Sequence, residues 1–481
     1  MTAEQTPSRQ AQCRDGRTST SPFVRLAGRI RDVGPAGAAP LALVGGAAVA
    51  TYSVPRYHVL IVTTYLVLLG VLAVTTVRAR PTRAAGDSAD DSTDATAQTA
   101  GRGGDRIGGA VALVAAGLAI WLVPAFSYVP APRETVLRFV TGICAVLAAA
   151  ALASSWRRGP HTAVALAAIT YTATAAAVVR LDPAPRIDVW YTLQGAADGL
   201  ARFENLYEQV LVGPPGRMAA FTYLPWTAVA LAPGRWLGGD VRWALVAVTL
   251  ATAAVMLVLG GRRAPLAATL LLLLPGTLTQ VEQAWTEPLL LGCLAAAVLA
   301  VRRGMAWWAV LPLAVALASK QHVVLVLPVL AAWPRFGVRR TVATALAAGG
   351  LVLPWFVADP AAMWHDTVEL LVGFHPIRFA DTAYIALMNE TGVEPPFWLT
   401  GAVVLGVLTT ASVMVRRRDP GTEVVLRWCA LVLFVASFVN KQAFYNQYWL
   451  VAGLVLLSWA AGRPLRSPAG ARTAPLTSSP A

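Results

Sequence analysis

The chain has 481 residues, 56% of them hydrophobic and only 13% charged, with a mean hydropathy of +0.58. That balance excludes an ordinary soluble domain, because most of such a chain must lie in lipid. The net charge of +14 does not point to nucleic acid: the arginines fall as short clusters between apolar runs, where they act as topology signals and anchors for anionic headgroups.

Residues 1–35 are polar and contain arginine, without the early apolar core of a cleavable signal, and read as a retained cytoplasmic tail. A membrane-crossing helix takes about 20 apolar residues. Five such runs precede residue 181, at about 37–53, 57–77, 107–127, 135–154 and 162–180, and make an amino-terminal helical region over 36–180. Between the second and third, residues 78–106 are too polar to bury a core and read as a disordered inner loop.

Positive charge in short loops is retained on the cytoplasmic side. Arg25, Arg29 and Arg31, then Arg78, Arg80 and Arg83, then Arg157 and Arg158 recur after every second crossing. The fifth crossing therefore delivers 181–220 outside.

Counting back from Arg463, Arg466 and Arg472, in a cytoplasmic disordered tail over 462–481, tests this independently. If runs near 264, 284, 306, 321, 341, 397, 424 and 445 each cross, the clusters at Arg416, Arg335, Arg302 and Arg262 all fall inside. Residues 279–283, Lys320, 358–396 and 440–444 then fall outside together. Of the two runs at 221–233 and 243–260 only one can cross, and 221–233, with Pro225 and Pro233, reads as a half-helix or re-entrant segment. The expectation is an all-α polytopic plasma-membrane protein of about 12–14 transmembrane helices, with a core over 221–461, outer-face loop helices and both termini cytoplasmic.

The four cysteines, Cys13, Cys144, Cys293 and Cys429, have no paired spacing, and no GxxxxGK[ST], HExxH or CxxC pattern occurs. This argues against a nucleotide-driven pump and a recognisable metal hydrolase. No cofactor is identified, no metal ligand is assigned, and a nonclassical divalent metal site stays open.

The outer segment 181–220 mixes carboxylates with aromatics: Arg186, Asp188, Tyr191 and Tyr207 stand in it, with Tyr223 just beyond. A carboxylate at the lipid boundary is partly desolvated, which raises its basicity, so Asp188 suits proton abstraction. The competing reading pairs it with Arg186 or Arg202 as ordinary loop structure. Only Lys320 and Lys441 are lysine in a chain that otherwise uses arginine. Both fall at outer helix ends, where a compact ammonium suits a lipid phosphate or simply snorkels to the interface. Polar groups cluster around them, with His322 beside Lys320, Asn440 and Gln442 beside Lys441, Tyr445 nearby, and Gln280, Glu282, Gln283 and Glu287 on a third outer end. Their convergence suggests a cavity open to the outer leaflet; His375 and Arg378, in the second long loop, are further phosphate candidates.

Arg186-Ile-Asp-Val-Trp-Tyr through Asn205-Leu-Tyr207, followed by Phe221-Thr-Tyr-Leu-Pro225, resembles the first outer loop of GT-C membrane glycosyltransferases, particularly glycosyltransferase family 87. The resemblance extends to Gln280-Val-Glu-Gln283 and Ala318-Ser-Lys320, and covers about residues 180–460. It implies a polyprenyl-phosphate sugar donor, most commonly of mannose, a glycolipid or glycan acceptor, and an essential outer-loop aspartate that maps onto Asp188. Asn205-Leu206-Tyr207 departs from the family's Asn-Pro-Tyr, and the aspartate follows a fifth crossing rather than the first, which implies a four-helix amino-terminal addition. Membrane lipids are the other expected partners. A secondary transporter or lipid flippase of the cell envelope is the main alternative, disfavoured because polarity gathers at helix ends rather than at the midplane.

Overall fold

The computed structural model describes residues 35–54, 56–79, 91–209, 211, 213 and 220–462. The expected tails over 1–34 and 463–481 and the inner-loop residues 80–90 lie outside the described residues. No strand occurs among the described residues. The chain is an all-α polytopic membrane protein.

The five amino-terminal runs become α1 (Pro35–Tyr52), α2 (Val59–Val77), α3 (Asp91–Leu122), α4 (Ala131–Ala153) and α5 (Gly159–Leu181). Residues 91–104, expected in a disordered loop, instead extend α3. Small residues let this region pack closely: a Cβ on Gly117 of α3 would meet the Gly142 carbonyl of α4 at 2.8 Å, and Ala112, Ala116, Ala145 and Ala148 are fully buried.

The rest follows as α6 (Asp188–Ala201), α7 (Trp226–Gly238), α8 (Arg242–Leu259), α9 (Ala264–Leu273), α10 (Thr277–Glu282), α11 (Glu287–Arg302) and α12 (Val310–Leu317). A 3₁₀ turn (Gln321–Val326) leads to α13 (Leu327–Ala332), α14 (Gly337–Ala358) and α15 (Pro360–Trp364). A π turn (His365–Glu369) then joins α16 (Leu370–Gly373), followed by α17 (Ala383–Thr391), α18 (Phe397–Arg418), α19 (Thr422–Phe438) and α20 (Tyr445–Ala460).

Among the described residues, seven segments are long and apolar enough to cross a bilayer: α2, Asp105–Leu122 of α3, α4, α5, α8, α14 and α18. Only 17% of α14 and 11% of α18 is buried over the apolar window. Leu346 and Leu405 stand 73% and 63% exposed. Faces so apolar suit hydrocarbon and not water. Inside this ring pack α1, α11, α19 and α20, of 16 to 18 residues. Leu433 and Leu457 are among the many residues of α19 and α20 that are buried.

The interior also holds interrupted helices. The run near 264 stops after 10 residues at Leu273, about 15 Å of rise and half a hydrocarbon core. Gly276 turns the chain there at φ 81°, a left-handed conformation natural to glycine. The run near 306 likewise breaks at Lys320, whose backbone is extended at φ −150°, ψ 131°. The expected half-helix at 221–233 is α7, which has 13 residues and starts at Trp226. Residues 221–225 are instead drawn out along the break before Lys320.

Candidate functional site

Two interruptions build the site. Helix α12 ends at Leu317, leaving the Ala318 and Ser319 carbonyls without helical partners. The segment 222–227 supplies them: Leu224 N donates to the Ser319 carbonyl at 3.2 Å and Trp226 N to that of Ala318 at 3.1 Å. The Thr227 hydroxyl donates to the Ser319 carbonyl at 2.6 Å, and Gln321 Nε2 donates to the Thr222 carbonyl at 3.1 Å. The Tyr207 hydroxyl ties the outer loop to the same segment through the Tyr223 carbonyl, at 3.0 Å. These bonds bring Tyr223 against Lys320, with the ammonium 5.5 Å from the ring centre.

Lys320 Nζ stands 2.5 Å from Glu287 Oε1 and 3.1 Å from Thr286 Oγ1. Glu287 is wholly buried and opens α11, where the aligned peptide dipoles favour a carboxylate. Asn446 Nδ2 donates to the same Glu287 oxygen at 2.8 Å. The other oxygen, Oε2, has no hydrogen-bond partner, and neither do the side-chain amide atoms of fully buried Gln283 or Nε2 of His322. Buried polar atoms are normally paired with protein or water, so this neighbourhood has unused capacity for a polar guest.

Asp188 opens α6 and is half-buried. Burial pushes the Tyr223 hydroxyl well above its ordinary value, and the negative charges of Asp188 and Glu287 push it further. Tyr223 thus keeps its proton. Helix α6 is fixed from below: Trp190 Nε1 donates to Asp240 at 3.1 Å, and Asp240 pairs at 2.7 Å with Arg242, which is fully buried and also donates to the Asp182 carbonyl at 2.7 Å. Beside α6 lies a polar hollow of about 400 Å³ walled by Tyr191, Gln194, Asp198, Arg202, Glu204 and Arg235.

Of the residues singled out in the sequence, Tyr223 lies against Lys320, His322 follows two positions on, and the charge of Asp188 bears on the Tyr223 hydroxyl. Tyr207 supports them, Tyr191 fronts the hollow, and Gln280 and Gln283 are buried on the segment leading to Glu287. Glu282 is held by Ser127 Oγ and Tyr128 N, each at 2.6 Å, and so anchors the α3–α4 connection. The Tyr445 hydroxyl donates to the Pro275 carbonyl at 2.6 Å, bracing the turn after α9.

Lys441 is occupied elsewhere. Its ammonium donates to the Val372 carbonyl at 2.7 Å and to that of Phe374, at the carbonyl end of α16, and burial lowers its proton affinity. Asn440 and Gln442 shape the adjoining turn, with Gln442 N donating to Asn440 Oδ1 at 3.4 Å. Arg186, His375 and Arg378 are exposed.

Asp366, which accepts from Phe221 N at 3.0 Å, is not singled out in the sequence, and Glu287 stands there only as one member of the third outer polar end, not as the direct partner of Lys320. The one available signal for Glu287 was a carboxylate opening an otherwise apolar run. Among the described residues no group of three or more His, Cys, Asp or Glu side chains could hold a metal ion.

The fold defines a polytopic helical membrane protein, with a buried polar cluster around Lys320 and a polar hollow beside α6. Comparison with protein-family models, with curated proteins and with solved structures finds no match.

Proposed function

We propose that the chain is a membrane glycosyltransferase that moves a sugar, mannose in the first instance, from a polyprenyl-phosphate donor to a hydroxyl of a lipid or glycan acceptor. The observation that carries this reading is that Lys320, paired with buried Glu287, stands 5.5 Å from the ring centre of Tyr223, whose hydroxyl also feels the negative charge of Asp188. In this scheme the acceptor hydroxyl reaches Asp188 at the start of α6, with the rest of the acceptor extending toward the hollow walled by Tyr191 and Gln194. Asp188 takes the hydroxyl proton as the oxygen bonds to the anomeric carbon. The bond between that carbon and the phosphate oxygen breaks with inversion, and both its electrons leave on the lipid phosphate.

Lys320 offsets the charge gathering on the departing phosphate. Its ammonium has three N–H groups, and Glu287 and Thr286 engage two of them, which leaves one for the donor. Lys441, bound to backbone carbonyls, is left to order the 370–377 loop. The site opens to the outer face of the plasma membrane, and both termini are cytoplasmic.

The test is transfer by purified protein from labelled polyprenyl-phosphate mannose to membrane lipid acceptors, comparing wild type with Asp188→Asn. Loss of a general base lowers the rate about 10²- to 10⁴-fold; equal transfer by both proteins rejects the assignment. A transporter or flippase would instead move labelled lipid between leaflets without forming a new glycosidic bond. Sidedness is read separately from Gly213→Cys, which an impermeant thiol reagent should label from outside.

A further inference from the structure

A second cavity lies away from Lys320. Between α1, α2, α19 and α20 runs an apolar groove of about 280 Å³, walled by residues such as Ala42, Gly46, Leu68, Leu72 and Val451. Helix direction orders its ends. Tyr65, Tyr445 and Tyr448 stand at one, and Thr75, Arg263, Arg427 and Trp459 at the other. From Tyr445 to Trp459 along α20 is about 21 Å at 1.5 Å per residue, more than the roughly 15 Å that one leaflet's hydrocarbon occupies.

The arginine end is strongly cationic. Nε of Arg427 is buried without a hydrogen-bond partner. Arg263 pairs with Asp105 at 2.7 Å and lies 5.8 Å from the Trp459 ring centre, and Arg262 shares the same Asp105. Arg418 donates to the Val77 carbonyl at 2.6 Å, which brings exposed Arg416, Arg417 and Arg418 to the end of α2 that carries Thr75. Among the described residues, Asp105, Asp419 and Glu423 stand against these six arginines, three carboxylates to six guanidinium groups. A groove that is hydrocarbon-like along its length and cationic at one rim matches one class of molecule.

We propose that this groove binds an anionic phospholipid of the surrounding bilayer, with its phosphate against Arg427 and Arg263 and one acyl chain lying along α20 toward Tyr448. Charge complementarity selects an anionic headgroup over a zwitterionic one, since each basic side chain near a headgroup favours negative lipid. The site is separate from Lys320 and does not depend on the transfer reaction.

The experiment is native mass spectrometry of the full chain in neutral detergent, with phosphatidylglycerol and phosphatidylcholine of matched chains supplied equally. Wild type should retain phosphatidylglycerol with about fivefold preference, and Arg427→Gln should bring the preference close to parity. Ala42→Phe fills the groove and leaves the arginines in place, so it should lower retention of both lipids. Excess polyprenyl phosphate should leave bound phosphatidylglycerol undisturbed. Equal retention of the two lipids by wild type, an unchanged preference in Arg427→Gln, or undiminished retention in Ala42→Phe would overturn the proposal. Displacement by polyprenyl phosphate would also overturn it, by giving the groove to a prenyl carrier.

Discussion

Lys320 Nζ and Glu287 Oε1 stand 2.5 Å apart, and the glutamate is wholly shielded from solvent. A buried pair of this kind gains little over an apolar pair of the same shape, but losing one partner strands the other's charge. Lys320→Met or Glu287→Gln alone should therefore reduce stability, by about 3–5 kcal/mol where a full charge is left buried. The double variant should lose clearly less than the sum. Denaturant unfolding in detergent measures all three, and additive losses would refute the coupling.

The support beneath α6 makes a graded prediction. Asp240→Ala leaves the fully buried Arg242 without its carboxylate, at about 3–5 kcal/mol. Trp190→Phe removes one hydrogen bond to a charged group, about 1.5–3 kcal/mol. Asp198→Ala breaks a pair whose side chains are 39% and 34% exposed, and should cost no more than about 1 kcal/mol. Thermal melting should return that order; an Asp198 variant as damaged as the Asp240 variant would contradict it.

A pH dependence is expected from Asp381, in the loop before α17. Burial raises its carboxyl to about 7, against smaller lowering effects from His58 N–H and the Ser53 hydroxyl. The folded chain therefore holds this proton more tightly than the unfolded chain, where an aspartate titrates near 3.9. Its contribution to stability is full below about pH 4, declines as pH rises toward 7, and is flat above. Asp381→Asn should keep an oxygen for His58 N–H and remove the decline. Its melting temperature should exceed that of wild type at pH 8, with the gap closing toward pH 4; a constant gap would show that the carboxyl does not titrate in this range.

Gly276→Ala tests the interruption after α9. A Cβ there would lie 2.2 Å from the Tyr445 hydroxyl and 2.6 Å from Thr51 Oγ1, at a φ of 81°. Left-handed backbone alone costs a non-glycine residue about 1–2 kcal/mol, and displacing Tyr445 also removes its bond to the Pro275 carbonyl. A loss near or above 2 kcal/mol is expected in the same unfolding assay, whereas Gly45→Ala, with open space at its Cβ, should be nearly neutral.

How far the sequence could be read depends on the region. Helices α1, α2, α4 and α5 lie within a few residues of their expected places, because unbroken apolar runs bounded by arginines admit few alternatives, whereas α3 begins well before its apolar run. From α9 to α13 the same composition is divided into short pieces by Gly276 and by extended Lys320, and hydropathy barely registers a break of three or four residues. Asp188 and Lys320 could be named as candidates from their residue types and helix-end positions. The pairing of Lys320 with Glu287, 33 positions away, and the bond from Asn446 to the same carboxylate could not, since only packing selects them from the polar groups at the outer ends. Lys441 appeared equivalent to Lys320 as a rare lysine at a helix end, yet the loop fold gives it to backbone carbonyls.

The segment running beside Ser319 places an unusual evolutionary restriction on this chain. Leu224 and Trp226 contribute their amide hydrogens, while the residue between them is Pro225, which has none to give. Alignment of the aspartate-bearing loop with the lysine is thus inherited from peptide geometry. Homologues should show no proline at 224 or 226, a side chain at 226 able to donate to the Leu351 carbonyl as Trp226 does, and neither insertion nor deletion between 222 and 227.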